Sequence, residues 1–170
     1  GYDTLRLILC KKAILVEGDS DELVIQKAYM NRNNGKLPIQ DGIEVISVGT
    51  SFLRFLDIAD KLKKDVVVVT DNDGDVAALD KKYEEYMGQK TKSYVKIWFD
   101  RDVDAGTLKI GESSYNYNTL EPKMLKVNGL KNLNNIFETA YTTEDDLRKY
   151  MKHNKTECAL KIFETENDIT

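Results

Sequence analysis

Glu17, Asp71 and Asp73 are the residues of this chain whose types and spacing point to chemistry. Glu17 ends the apolar run Ala13-Ile14-Leu15-Val16 and opens into Gly18-Asp19-Ser20-Asp21. Asp71 and Asp73 follow a second run, Val66-Val67-Val68-Val69-Thr70, and lead into Gly74-Asp75. Each acidic cluster therefore sits where a hydrophobic strand meets a loop. If the two strands are parallel neighbours, their carboxylates converge. Converging carboxylates repel one another, and the relief such a cluster implies is a hard cation with oxygen ligands, Mg²⁺ or Mn²⁺. Gly18 and Gly74 let the backbone turn sharply after each acid. Asp21 falls in the first turn of the next element, where it can point back at the same ion. Taken alone, Asp71-Asn72-Asp73-Gly74-Asp75 is also an ordinary polar turn. The matching Glu17 at a second strand end distinguishes the two readings.

The elements that must position these acids can be read from periodicity. Ala13 to Val16 is a continuous apolar strand. A helix capped by Ser20 or Asp21 runs to about Asn31, and Asn33-Asn34-Gly35 stops it. Ile43 to Val48 is a second strand, ending at Gly49. Thr50 or Ser51 caps a helix whose Phe52, Phe55, Leu56, Ala59 and Leu62 recur on one face. Val66 to Thr70 reads as a strand buried on both faces. A helix carrying Val76, Leu79, Tyr83 and Met87 follows, then a fourth strand from Tyr94 to Phe99. Strands alternating with helices predict an α/β fold, a parallel sheet flanked by helices. In such sheets functional residues collect at the carboxyl ends of the strands, where both acidic clusters lie. Asp100 to about Asn118 reads as an exposed loop or loose hairpin. Asn118 to Pro122 reads as a strand end halted by proline, and the remainder as a C-terminal helical appendage. Thr143-Glu144-Asp145-Asp146 opens one of its helices as a capping box variant. The expected division is a catalytic core over residues 1–125 and a helical extension over 126–170, packed on or beside it.

Composition narrows the classes. The longest apolar run is strand length, far short of the roughly 20 residues of a spanning helix, so no membrane role is expected. The N-terminus lacks a signal-peptide pattern, and two distant cysteines suit a reduced, cytoplasmic protein. One histidine excludes histidine-rich metal sites and histidine-based triads. A net charge of -4 argues against a simple nucleic-acid-binding module. It does not argue against a metal-dependent enzyme, because the ions offset several acids. Basic residues gather in the last third, among them Lys123, Lys126, Lys131, Arg148, Lys149, Lys152, Lys155 and Lys161, and could present a cationic face. The chain opens on Gly1, which suggests a fragment.

A strand ending in Val16-Glu17-Gly18, followed by Asp71-Asn72-Asp73 at the end of the third strand of a βαβαβ unit, resembles the Toprim domain shared by topoisomerases, primases, small ribonucleases and OLD-family (overcoming lysogenization defect) nucleases. Thr119-Leu120-Glu121 and Lys155-Thr156-Glu157-Cys158-Ala159-Leu160 resemble the OLD type. Among these the chain is most similar to the nuclease subunit of the Gabija anti-phage defence system. The resemblance implies a DNA endonuclease in which Glu17, Asp71 and Asp73 hold metal. Asp21 and Glu121 would complete a second metal position, and Lys155 would place positive charge near the transition state. It also implies DNA as partner, an upstream ATPase domain, a homo-oligomeric full protein and a partner helicase. The chain contains no Gly-x-x-x-x-Gly-Lys-Ser/Thr phosphate loop, so the ATPase part lies outside it.

Other readings fit the residues less well. A receiver-like module that binds Mg²⁺ without catalysis would place its acidic pair after the first strand and a phosphoacceptor after the third. Here the first cluster is Glu-Gly-Asp and the third is Asp-x-Asp. A topoisomerase needs a catalytic tyrosine from another domain, and nothing marks Tyr115, Tyr117 or Tyr141 for that role. A primase reading lacks a cysteine-rich zinc segment.

Overall fold

The computed structural model describes all 170 residues. The chain runs through α1 (Tyr2–Leu9), β1 (Lys12–Val16), α2 (Asp19–Arg32), β2 (Ile43–Ser47), α3 (Phe52–Leu62), β3 (Asp65–Val69), α4 (Val76–Lys82) and β4 (Val95–Trp98). A small hairpin of β5 (Lys109–Ile110) and β6 (Ser113–Ser114) follows. Three helices then close the chain: α5 (Leu120–Phe137), α6 (Glu144–His153) and α7 (Lys155–Glu164).

The four long strands form one parallel sheet in the order β2-β1-β3-β4. β1 lies between β2 and β3, with Leu15 opposite Ile46 on one side and Val68 on the other. The chain first adds β2 on one flank of β1 and then crosses to place β3 on the other. That reversal makes the carboxyl ends of β1 and β3 a topological switch point, where loops splay apart and leave a crevice. Glu17 and Asp71 stand at its two lips, which is the neighbouring-strand arrangement the apolar runs predict.

One sheet face carries the main core. Ala13, Leu15, Ile46, Val66, Val68 and Val95 pack there against Leu7 of α1 and Phe52, Phe55, Leu56 and Ala59 of α3. On the other face α2 lies over β1 and β2. A second core joins Val24 of α2 to Met124, Leu125, Leu133, Leu147, Met151 and Ile162 of the last three helices. β3 is therefore not buried on both faces as its valine run suggests: Val66 and Val68 are buried, whereas Val67 and Val69 are only half-buried. An all-valine strand reports apolarity but not whether a helix reaches over it.

Two helices also differ from the sequence expectation. α1 was not expected, although Tyr2, Leu5, Ile8 and Leu9 recur at helical spacing. It is held by Leu7, fully buried, and by Arg6, which donates to Glu44 at 2.9 Å, to Glu22 at 3.3 Å and to the Val45 carbonyl at 2.8 Å. Residues 119–122 start a helix rather than end a strand. Thr119 is its N-cap, and Pro122 sits in the first turn, where a missing N–H costs nothing. α5 then crosses the expected join at residue 125 and breaks only at Gly129 (φ 77°, ψ 157°), a conformation open to glycine. Thr143 caps α6, its Oγ1 accepting from Asp146 N at 3.2 Å, but the reciprocal half of the capping box is replaced by a bond from Thr143 Oγ1 to the Asp146 carboxylate at 2.8 Å.

Candidate metal centre

A solvent-open cavity of about 390 Å³ occupies the switch point. Glu17, Asp21, Asp71, Asp73, Glu121 and Lys155 all line it. The six sequence-selected residues are thus brought together from β1, α2, the loop after β3, α5 and α7. Asp19, not selected from the sequence, lines the same cavity. Asp75 does not: it caps α4, accepting from Ala78 N at 2.9 Å. Asp104 is bound instead to Lys123 at 2.6 Å and Lys126 at 2.7 Å.

Each acid is oriented by a specific contact. Asp21 Oδ2 accepts from Gly18 N at 2.9 Å, which turns it back toward Glu17. A Cβ at Gly18 would lie 3.3 Å from that oxygen, so the small residue keeps the return path open. Asp71 Oδ2 accepts from Leu120 N at 3.1 Å, which ties the end of β3 to the start of α5. Asp73 adopts a left-handed conformation (φ 50°), as does Gly74 (φ 86°), and Asp73 Oδ1 accepts from Asn116 Nδ2 at 3.1 Å. Glu121 is buried (7% exposed), accepts from Thr119 Oγ1 at 3.3 Å and pairs with Lys155 at 3.3 Å. Glu17 is exposed, and its side chain is free of such ties.

Asn72, between the two aspartates, is a positioning residue that sequence reading passed over. It is 2% exposed, donates to the carbonyls of Asp100 at 2.7 Å and Asp102 at 3.0 Å, and accepts from Gly74 N at 2.8 Å. These bonds pin the loop, so Asp71 and Asp73 point out on either side of it. The available signal was an amide between two acids at a strand end, a residue type that can bind the backbone of the turn. Asn72→Ala would strand two carbonyls and one N–H. It is expected to cost about 2 kcal/mol or more in a urea unfolding series; a loss under about 0.5 kcal/mol would contradict this role.

Electrostatics mark the centre of the cavity. Burial raises the Asp71 carboxyl to about 7, and repulsion from Asp21, Asp73 and Glu121 adds to the rise, against the opposing Leu120 N–H bond. Asp21 is raised as well, chiefly by burial, with Glu121 and Glu17 contributing repulsion. The carboxylates line one cavity but do not close up: no three acidic, cysteine or histidine side chains stand close enough together to hold one ion as they are. The donor set nevertheless fits a hard divalent cation. It is all oxygen, carries surplus negative charge and includes two acids whose ionisation the surroundings disfavour, a penalty that a cation would remove.

Most of the basic residues in the last third do not form a free cationic face. Lys123 and Lys126 bind Asp100 and Asp104, Arg148 binds Glu144 and Asp145, Lys149 binds Asp146, and Lys161 binds Glu138 and Glu157. Lys152 is exposed and, with Lys155, lines a smaller cavity beside Glu121. Tyr115 and Tyr117 pack edge to face at 5.1 Å, and Tyr141 packs on Tyr150 at 5.5 Å, which gives all three structural work.

This arrangement of acidic strand ends in a βαβαβ unit can be compared with known proteins. Residues 8–73 match the overcoming lysogenization defect protein-like TOPRIM domain. The match takes in β1 to β3 and both acidic clusters. The chain is also similar in structure to the C-terminal region of the Burkholderia pseudomallei OLD protein, with a TM-score of 0.53 and 19% identity over 91% of this chain and 81% of that one. The likeness shows the fold, a Toprim-like parallel sheet flanked by helices. The C-terminal region of the Xanthomonas campestris pv. campestris OLD protein aligns over 91% of this chain and 79% of that one, with a TM-score of 0.48 and 16% identity. No curated protein matches the chain. No helix is long and apolar enough to cross a membrane.

Proposed function

We propose that this chain is the nuclease domain of a larger ATPase–Toprim protein, a metal-dependent DNA endonuclease that nicks or cleaves phosphodiesters in anti-phage defence, of the kind found in the Gabija nuclease subunit. The observation that carries this reading is the gathering of Glu17, Asp21, Asp71, Asp73, Glu121 and Lys155 around one cavity at the switch point of an OLD-like TOPRIM sheet. Glu17, Asp71 and Asp73 hold metal, and Asp21 and Glu121 complete a second position. Two Mg²⁺ or Mn²⁺ ions in such a site supply Lewis acidity on both sides of a phosphodiester, toward the attacking water and the departing oxygen.

The residues of the chain do the positioning. Leu120 N holds Asp71 in place, and Asn72 and Asn116 fix the loop that carries Asp73. Lys155 Nζ, now 3.3 Å from Glu121, is the cation available to a phosphate oxygen as negative charge builds. It opens α7, so the helix dipole at that end also favours an anion. DNA is the substrate. The full protein assembles as a homo-oligomer with its ATPase domain and works with a helicase.

The direct test is plasmid cleavage by the chain and by its full-length parent. Mg²⁺ or Mn²⁺ is expected to support cutting and EDTA to stop it. Ca²⁺, with its looser coordination, is expected to bind without turnover. Turnover in Ca²⁺ equal to that in Mg²⁺, or no cutting under any condition, would overturn the reading.

A further inference from the structure

Trp98, the chain's only tryptophan, ends β4, the edge strand of the sheet, opposite Val69. The residue is 62% exposed. Val67 and Val69, on the same sheet face, are half-buried because α2 covers β1 and β2 instead. The result is an apolar strip on a parallel sheet, a face that such sheets normally cover. Between this strip and the start of α5 lies an open cavity of about 370 Å³, walled by Val69, Trp98, Phe99, Leu120 and Lys123. The Arg101 guanidinium stacks on Phe99, 4.7 Å from its ring centroid, and Arg101 is itself fixed to Asp80 at 2.8 Å.

Two features say what fits. The cavity adjoins the metal centre: Asp71 and Leu120 line both. Its lining surface is mainly apolar, and Lys123, the one cation on it, is taken up by Asp100 and Asp104. A phosphate is therefore disfavoured there, and an uncharged planar group is favoured. When a phosphodiester sits among the carboxylates, the deoxyribose on each side of it carries a nucleobase, the uncharged planar group nearest the scissile bond.

We propose that Trp98 is a stacking platform for a base of the substrate strand beside the scissile phosphodiester. The proposal rests on the nuclease reading and sharpens it: the substrate is DNA with an unpaired base at the cut, in a single strand, a flap or a flipped-out nucleotide. A paired base is already stacked on both faces and cannot offer one to the indole without being extruded.

Trp98 provides its own reporter. In Ca²⁺, a labelled single-stranded oligodeoxynucleotide is expected to bind and quench the tryptophan emission saturably, with the matching duplex quenching less. Base–aromatic stacking implies that Trp98→Ala binds the single strand about tenfold more weakly or worse. Trp98→Leu, which keeps apolar cover on β3, is expected to be as weak, whereas Trp98→Phe restores binding. Cleavage in Mg²⁺ is measured alongside. If the wild type cuts DNA while its emission stays unmoved and Trp98→Ala binds as well as wild type, the platform is overturned and the nuclease reading stands. If no DNA is bound or cut, both fall. A blue shift of the emission as protein concentration rises, with a dimer in sedimentation, would assign the face to a second copy and also overturn the platform.

Discussion

Asp71→Asn is expected to stabilise the metal-free protein at neutral pH while removing its cleavage activity. The Asp71 carboxyl is pushed up to about 7 by burial and by the carboxylates around it, against about 3.9 in an unfolded chain. A folded-state pKa above the unfolded one means that the folded state binds the proton more tightly. Its stabilising share is therefore fully present below about pH 4 and is lost as pH rises through about 7. By neutral pH the ionised side chain opposes folding by roughly 3 kcal/mol. Asparagine keeps an oxygen that can accept from Leu120 N and never ionises. In EDTA, the variant is expected to melt at about the same temperature as wild type near pH 4. It should gain about 5 °C or more by pH 7 to 8. Comparing the two proteins cancels the titration of the other carboxylates they share. A gap that stays the same across this range would show that Asp71 is not the strained group. Divalent metal is expected to narrow the gap by stabilising the wild type alone, since binding to the folded state adds to its stability.

Glu17→Ala is expected to lower DNA cleavage by about a thousandfold or more, with folding almost unchanged. The two effects separate because of how Glu17 is held. Its backbone carbonyl accepts from Gly49 N at 2.9 Å and Ser47 Oγ at 3.2 Å, which ties β1 to β2. Alanine keeps that carbonyl. The exposed carboxylate contributes repulsion toward Asp21, so its removal is expected to shift stability by no more than about 0.5 kcal/mol. Losing one of the proposed metal ligands would remove several kcal/mol of transition-state stabilisation, and each 1.36 kcal/mol is a factor of ten in rate. Plasmid nicking over a time course, with circular dichroism melts on the same samples, measures both. Cutting within tenfold of wild type by a folded Glu17→Ala protein would remove Glu17 from the chemistry. The contrast with Asp71→Asn is informative: both are expected to be inactive, but only the Asp71 variant should gain stability with rising pH.

How much of this site was legible depended on the sequence distance between its parts. Glu17 and Asp71 were readable because each ends an apolar run, and a parallel sheet aligns such ends when the strands are neighbours. Asn72 was readable in principle from its place between two outward acids, but its burial depends on Asp100 and Asp102, whose loop has no periodicity. Glu121 was picked by resemblance, yet its setting was misread, because a proline suits a strand end and a first helical turn equally. The Leu120 N–H bond to Asp71 and the Glu121 side chain in the cavity show that α5 begins at the site.

The sequence by itself determined the α/β alternation, the parallel sheet and the acids at its strand ends, because strand and helix periods and turn residues are local properties. The tertiary structure alone decided three things. It put β1 beside β3, so that two distant acidic turns share one crevice. It folded α7 back so that Lys155 meets Glu121. It left one face of β3 and β4 short of a covering helix, so that Trp98 is exposed next to the carboxylates. Each of these depends on which elements pack together across long stretches of chain, and the side-chain pattern of a single element carries no record of its neighbours.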